Sequence, residues 1–191
     1  MKQTNLLEVD WTKIPAPEDD GAAAHLVGLK VPPVSLRATN DTAVVLSELK
    51  GRTVVFAYPR TGEPGKISLV DDWDMIPGAR GCTPQTCAFR DLFAELKAAG
   101  AKHVFGLSTQ DNDYQTEMAS RLHLPFPVLS DAQLELVTAL NLPTMEVADL
   151  TLIKRLALII DDGKITHVFY PVFPPDRNAG DVLEWLKANP A

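Results

Sequence analysis

The chain lacks what would tie it to a nucleic acid or a membrane. Its 191 residues carry 18 Lys and Arg against 25 Asp and Glu, a net charge of −7, and the basic residues form no cluster. The electrostatic footprint of a nucleic-acid binder is therefore missing. Long apolar runs are missing too. Stretches such as "RLALII" fall far short of the ~20 residues that span a bilayer. The opening "MKQTNLLEVDWTK" has no apolar core and carries acidic residues early, so it does not read as a secretory signal. No internal repeat or low-complexity tract is present. The expected compartment is the cytoplasm, where a stable structural disulfide is unusual.

What remains is globular. Hydrophobic residues make up 46% and charged residues 23%, and the length suits one domain with a substantial core. Residues 1–24 are polar and weakly patterned and read as an N-terminal extension, leaving 25–191 as the domain. In it, "VSLRA" and "TAVVLS" read as strands joined at "TND", and "RTVVFAY" as a buried strand bounded by Gly51 and Pro59. Residues 60–81 have no regular period, and a loop of that length inside a domain is usually functional or mobile. A helix follows, with Thr83 as its cap, Pro84 in its first turn and Gly100 at its end. "KHVFGLS" reads as a second buried strand. "DNDYQTEMASRLHL" reads as a helix capped by Asp111 or Asp113. "PVLS" is a short strand, and Ser130 with Gln133 forms a capping box for the next helix. "RLALII" and "ITHVFY" make a hairpin through "DDGK", and a helix over "AGDVLEWLKAN" closes the chain. Such alternation implies an α/β fold: a central mixed sheet flanked by helices. A thioredoxin-like sheet with an N-terminal extension and an inserted loop before the cysteine-bearing helix satisfies the order.

Cysteine occurs only twice, at Cys82 and Cys87 in "GARGCTPQTCAFRD". Cys82 stands at a helix entrance, where the dipole and free backbone N–H groups favour a thiolate, and Arg80 could add positive charge. That makes Cys82 the candidate nucleophile. Cys87 lies inside the helix, as an ordinary buried thiol would. Five residues of helix separate the pair by about 7.5 Å of rise and turn the second side chain roughly 140° away. Disulfides need Cα atoms within about 7 Å, so the pair cannot close while the helix stays wound and can close if the first turn unwinds. A catalytic or sensing pair suits that arrangement; two small buried hydrophobes is the plain alternative. A zinc site fits less well, because His25, His103, His123 and His167 show no ligand spacing with the cysteines. The spacing is also not the C-x-x-C of thioredoxins.

The segment "GCTPQTCAFRD" closely resembles the active-site segment of the peroxiredoxins, of the peroxiredoxin Q or bacterioferritin-comigratory-protein type. The similarity continues in order through "VPPVSL", "VLSELKGRTVVFAYP", "GLSTQD", "LPFPVLSD" and "KRLALIIDDGKITHVFY", covering roughly residues 28–190. The resemblance implies a thiol-dependent peroxidase for hydrogen peroxide and small organic hydroperoxides. Cys82 matches the peroxidatic cysteine, oxidised to a sulfenic acid, and Cys87 the resolving cysteine that condenses with it. Arg155 matches the arginine that holds the thiolate and polarises the peroxide. The family pattern P-x-x-x-T-x-x-C is not kept: in that frame stand Met75 and Ala79. Pro59 and Thr61 supply the proline and threonine instead, 23 and 21 positions ahead of Cys82, with about 16 residues inserted between. Thr61 reaches the thiolate only if the loop folds back; otherwise Thr83 or a backbone N–H replaces it. Trp73, Met75 and Ile76 are candidates for an apolar lid. The resemblance further implies no metal or other cofactor, thioredoxin or glutaredoxin as reductant, and a monomer. The rival readings are a disulfide reductase or electron carrier on the same fold, and a non-enzymatic redox sensor.

Overall fold

Alternation along the buried strands builds the fold. The protein, a computed structural model, is described over residues 9–191, so residues 1–8 of the expected extension lie outside the described residues. Strand β1 (Ser35–Ala38) pairs antiparallel with β2 (Ala43–Val45), as the turn at "TND" requires. Strand β3 (Arg52–Ala57) lies inside the sheet, parallel to β4 (His103–Ser108) and antiparallel to β8 (Leu156–Asp161). Strands β5 (Val128–Ser130) and β9 (Lys164–Phe169) complete a seven-stranded mixed sheet of order β2-β1-β5-β4-β3-β8-β9. In β3 every residue is buried. Val54 and Phe56 point to one face and Val55 and Ala57 to the other, which is the period-2 geometry of a strand covered on both sides.

One face carries helices α1 (Cys82–Asp91), α2 (Phe93–Ala98), α3 (Asn112–Arg121) and α5 (Asn178–Ala188). The opposite face carries α4 (Glu135–Leu140) and the coil around Ala23 and Leu26. Phe56 of β3 stacks on Phe89 of α1 with centroids 4.1 Å apart and meets Phe126 edge-on at 5.5 Å. This stack seats α1 over β3. Removing Phe89 would cost about 3–5 kcal/mol on the scale of aromatic-to-alanine core changes.

Four local readings of the sequence need correction. Thr83 does not cap α1: the N-cap is Gly81, left-handed at φ 108, while Thr83 sits inside the first turn. The helix does not run unbroken to Gly100. It breaks at Leu92, which ends α1 and begins α2, while Gly100 follows in a left-handed conformation. The Ser130–Gln133 capping box does not form. Ser130 Oγ donates to Gln110 O at 2.6 Å, and buried Asp131 accepts from the N–H groups of Leu136 (3.2 Å) and Val137 (2.8 Å) instead. Those bonds answer a burial that pushes the Asp131 carboxyl up. Finally, a small hairpin, β6 (Thr144–Val147) with β7 (Leu150–Ile153), precedes β8 and has no counterpart in the sequence reading. By contrast, Asp111 does cap α3, accepting from Tyr114 N at 2.8 Å.

Residues 9–24 lie on the sheet end that carries Cys82. Trp11 meets Phe173 edge-on at 6.1 Å and donates to Asp176 at 3.1 Å. Asp20 accepts from Lys154 at 2.6 Å and from Tyr170 at 2.7 Å. No helix among the described residues is long and apolar enough to cross a membrane.

Candidate active site

Helix α1 opens under unusual constraint. A Cβ built on Gly81 would fall 2.6 Å from Pro175 Cγ and 2.7 Å from the Trp11 ring. Only glycine fits the space and the left-handed backbone together. The first intrahelical bond runs from Gln85 N to Gly81 O at 3.0 Å, so Cys82 is the first residue of the helix, among its unpaired N–H groups. Both cysteines are free thiols within one continuous helix.

Cys82 is only 3% exposed, yet it lines a cleft of about 330 Å³ together with Arg60, Thr61, Trp73, Arg80 and Tyr114. A guanidinium faces its sulfur. Arg155, just ahead of β8, brings Nη2 to 3.3 Å from Cys82 Sγ. The same nitrogen donates to the carbonyls of Gly78 (3.1 Å), Ala79 (3.2 Å) and Arg80 (3.1 Å), which fastens the loop entering α1. Nη1 donates to Gln85 Oε1 at 2.6 Å, and Gln85 Nε2 donates in turn to Asn178 Oδ1 of α5 at 2.9 Å. Arg155, Gln85 and Asn178 are all at most 3% exposed. A buried charge persists only when it is bonded, and this relay holds the guanidinium against the sulfur. One donor, Arg155 Nε, has no partner among the described residues.

Thr61 does come back to the thiol's cleft across the long insert. Gln110, at the end of β4, holds it there. Its Oε1 accepts from Thr61 N at 2.9 Å and Oγ1 at 3.1 Å, and its Nε2 donates to Thr61 O at 3.2 Å. The Thr61 hydroxyl proton is thus spent on Gln110, and its lone pairs face no other donor in the same set of bonds. Pro59 is buried immediately after β3 and is not part of the cleft lining. Within the insert Trp73 lines the cleft; Met75 is 62% exposed and lies outside the lining, as does Ile76. Arg80 lines the cleft but spends its charge on Asp74 at 3.2 Å; the cation at the sulfur is Arg155. Cys87 belongs to the apolar core beside Phe89 and Met118. Burial pushes its thiol up, against a smaller downward pull from Arg90.

Gln85, Gln110 and Asn178 are the site residues that the sequence reading missed. Gln85 and Gln110 stand inside the segments "GCTPQTCAFRD" and "GLSTQD" that carry the resemblance, which was the one signal for them; Asn178 has none, and the bonds joining these residues to their partners span 49 to 93 positions.

Comparison with known proteins agrees with this geometry. Residues 26–183 match the redoxin family. The chain belongs to that family, and within it to the peroxiredoxin Q/bacterioferritin-comigratory-protein type. It is 33% identical over 165 residues to the chloroplastic peroxiredoxin Q of Oryza sativa subsp. japonica, covering 84% of this chain. That match spans 66% of the rice protein's length, just under two thirds. It is 31% identical over 183 residues to the peroxiredoxin Q of Triticum aestivum, covering 91% of this chain and 75% of the wheat protein. Among solved structures, the peroxidoxin BcpB of Mycobacterium tuberculosis superposes with a TM-score of 0.68 at 27% identity, over 86% of this chain and 98% of that one. The mixed sheet is the thioredoxin-like sheet of a peroxiredoxin.

Proposed function

We propose that the protein is a thiol-dependent peroxidase of the atypical two-cysteine type, reducing hydrogen peroxide and small organic hydroperoxides. One observation carries the reading: a buried guanidinium stands 3.3 Å from the Cys82 sulfur in a solvent-reaching cleft, with a second thiol five positions on in the same helix.

In the proposed cycle the Cys82 thiolate attacks one oxygen of the hydroperoxide. The O–O bond breaks, the S–O bond forms, and the alcohol or water leaves with a proton. Cys82 is oxidised to the sulfenic acid. Arg155 donates to the thiolate and then to the oxygens on which charge develops, with Nε as its unspent donor. Thr61 contributes an oxygen that accepts a hydrogen bond from the peroxide, and Pro59 a rigid link from β3 to Thr61. Next α1 unwinds at its first turn. That breaks the bonds of Gln85 N to Gly81 O, Thr86 Oγ1 to Cys82 O and Arg155 to Gln85, a few kcal/mol on the scale of local opening. The Cys87 sulfur then attacks the sulfenic sulfur, forming the disulfide and releasing water. A dithiol protein, thioredoxin or glutaredoxin, restores both thiols by exchange. Sulfur carries both electrons, so the cycle needs no metal or prosthetic group.

The same reading takes residues 25–191 as the catalytic domain and 1–24 as an extension, acting as a monomer in a reducing compartment, the cytoplasm. The test is mass spectrometry after one equivalent of hydrogen peroxide, with the reduced protein as reference. A loss of two mass units, with a bridge between residues 82 and 87, is expected. A protein that leaves the peroxide unconsumed sinks the proposal.

A further inference from the structure

The bonds between Gln110 and Thr61 admit one polarity only. Thr61 N–H can only donate and Thr61 C=O can only accept. Gln110 must therefore present Oε1 to the first, at 2.9 Å, and Nε2 to the second, at 3.2 Å. A flipped carboxamide would set like against like at both bonds. The side chain thus pairs with Thr61 as a neighbouring strand's peptide group would, and it carries the β3–β4 pairing beyond the Tyr58 N–H to Leu107 O bond at 3.1 Å. An amide oxygen has two lone pairs. Thr61 N–H takes one, and the Thr61 hydroxyl, at 3.1 Å, takes the other.

Gln110 is itself held from several elements. Its carbonyl accepts from Ser130 Oγ of β5 at 2.6 Å, and its N–H reaches Ser108 Oγ of β4 at 3.4 Å. Gln115 of α3 donates through Nε2 to that same Ser108 Oγ at 2.9 Å and to Leu129 O at 2.8 Å. Thr61 is 1% exposed and Gln110 4%. An unpaired polar group is costly at such depth, so the hydroxyl proton stays on Oε1.

The consequence falls on the cleft, which Thr61 lines beside Cys82. With its proton committed, the hydroxyl offers only lone pairs there. We infer that Gln110 is a positioning residue: it fixes Thr61 as a hydrogen-bond acceptor, so that the threonine orients the O–H of a hydroperoxide and gives nothing to the thiolate. The thiolate is left to Arg155, 3.3 Å away. Gln110 touches neither the sulfur nor the oxidant and acts through Thr61. This inference rests on the peroxidase reading of the same cleft.

The experiment compares two reagents at Cys82. Hydrogen peroxide brings an O–H group. Methyl methanethiosulfonate brings neither O–H nor N–H; its S-methyl group passes to the thiolate as its S–S bond breaks and methanesulfinate leaves. Both rate constants are read in single turnover on the reduced protein, the first from peroxide consumption and the second from the mass of the peptide holding residue 82. Their ratio cancels any change in the thiolate itself. It should fall about tenfold in Gln110→Met, which is what one hydrogen bond supplies. Thr61→Val, which leaves the backbone bonds to Gln110 in place, should lower it by a similar factor. In the double variant the fall should stay at about tenfold and not reach about a hundredfold, because one residue works through the other. Gln110→Glu keeps an acceptor for both donors and should recover part of the ratio. Should Gln110→Met not fold, the effect of Gln110→Glu on the ratio should vanish in the Thr61→Val background. A native ratio in Gln110→Met, or losses that multiply in the double variant, overturns the inference while native peroxide consumption leaves the peroxidase reading standing. If the native protein takes the S-methyl group and consumes no peroxide, the peroxidase reading fails and this inference with it.

Discussion

Cys82 and Cys87 lie in one helix, five positions apart, and their surroundings have almost nothing in common. At the helix entrance the sulfur of Cys82 meets a guanidinium, carbonyl-laced backbone and a cleft. Further along, Cys87 is packed among aromatic and aliphatic side chains that hold its proton on. The same side chain is thus placed in two environments: a polar, cleft-lining end for the sulfur that the proposed cycle exposes to the oxidant, and an apolar, closed end for the one that it keeps in reserve. Helix geometry keeps them apart, so in the proposed cycle the second meets the first only when the first turn is given up.

The largest effect should come from breaking the polar end. Cys82→Ser removes the nucleophile, and peroxide consumption should drop to the uncatalysed background; Cys87→Ser should still consume one equivalent per protein and then stop, because no disulfide forms. Equal behaviour of the two variants in a stoichiometric peroxide titration would erase the distinction. Next in size is Arg155→Met, which takes away the donor at the sulfur and should lower single-turnover kcat/KM about 10²–10³-fold. Arg155→Lys keeps charge but not the fork that reaches Gln85 and the sulfur together, so its rate should fall between. A full-rate Arg155→Met would show that the guanidinium is merely structural.

Gly81→Ala tests the helix entrance, just ahead of both environments. The added methyl group meets Pro175 and the Trp11 ring on a left-handed backbone, a cost of about 2–4 kcal/mol in urea unfolding. An unchanged unfolding midpoint would show that the helix entrance tolerates a side chain. The smallest effect concerns pH. Because burial raises the Cys87 pKa, the wound helix binds that proton more tightly than the unwound one. Above the ordinary thiol value of 9.0, deprotonation favours unwinding, and α1 loses stability as pH climbs. Disulfide formation in a rapid-quench experiment should therefore quicken over that range, by at most about tenfold per pH unit. A flat profile there would mean that Cys87 is not held in its protonated form by the core.

Much of this contrast was legible in the amino-acid order because it is local. β-branched runs bounded by Gly51 and Pro59 or by "DDGK" made strands, and the entrance "GCTP" put Cys82 at a helix start. The rest depends on contacts that no window contains. Nothing near Gln85 announces Asn178, and nothing near Thr61 announces Gln110. Thr83 looked like a cap because its residue type suits one, but the helix starts two residues earlier, with left-handed Gly81 as its cap, packed under Trp11 and Pro175. The β6–β7 hairpin escaped because its turn uses Ala148 and Asp149 at φ 49 and 61, where an Asn-Gly or Asp-Gly pair would have been the visible signal.

Trp11 rests on the hinge glycine, and Asp20 ties the same strap to Lys154, next to Arg155. Trimming the chain back to residue 26, where its match to the redoxin family begins, would therefore not yield a leaner equivalent. In the proposed cycle it would lift a weight off the spring, biasing the helix toward its loosened form, and the bridge between residues 82 and 87 is then expected to form sooner.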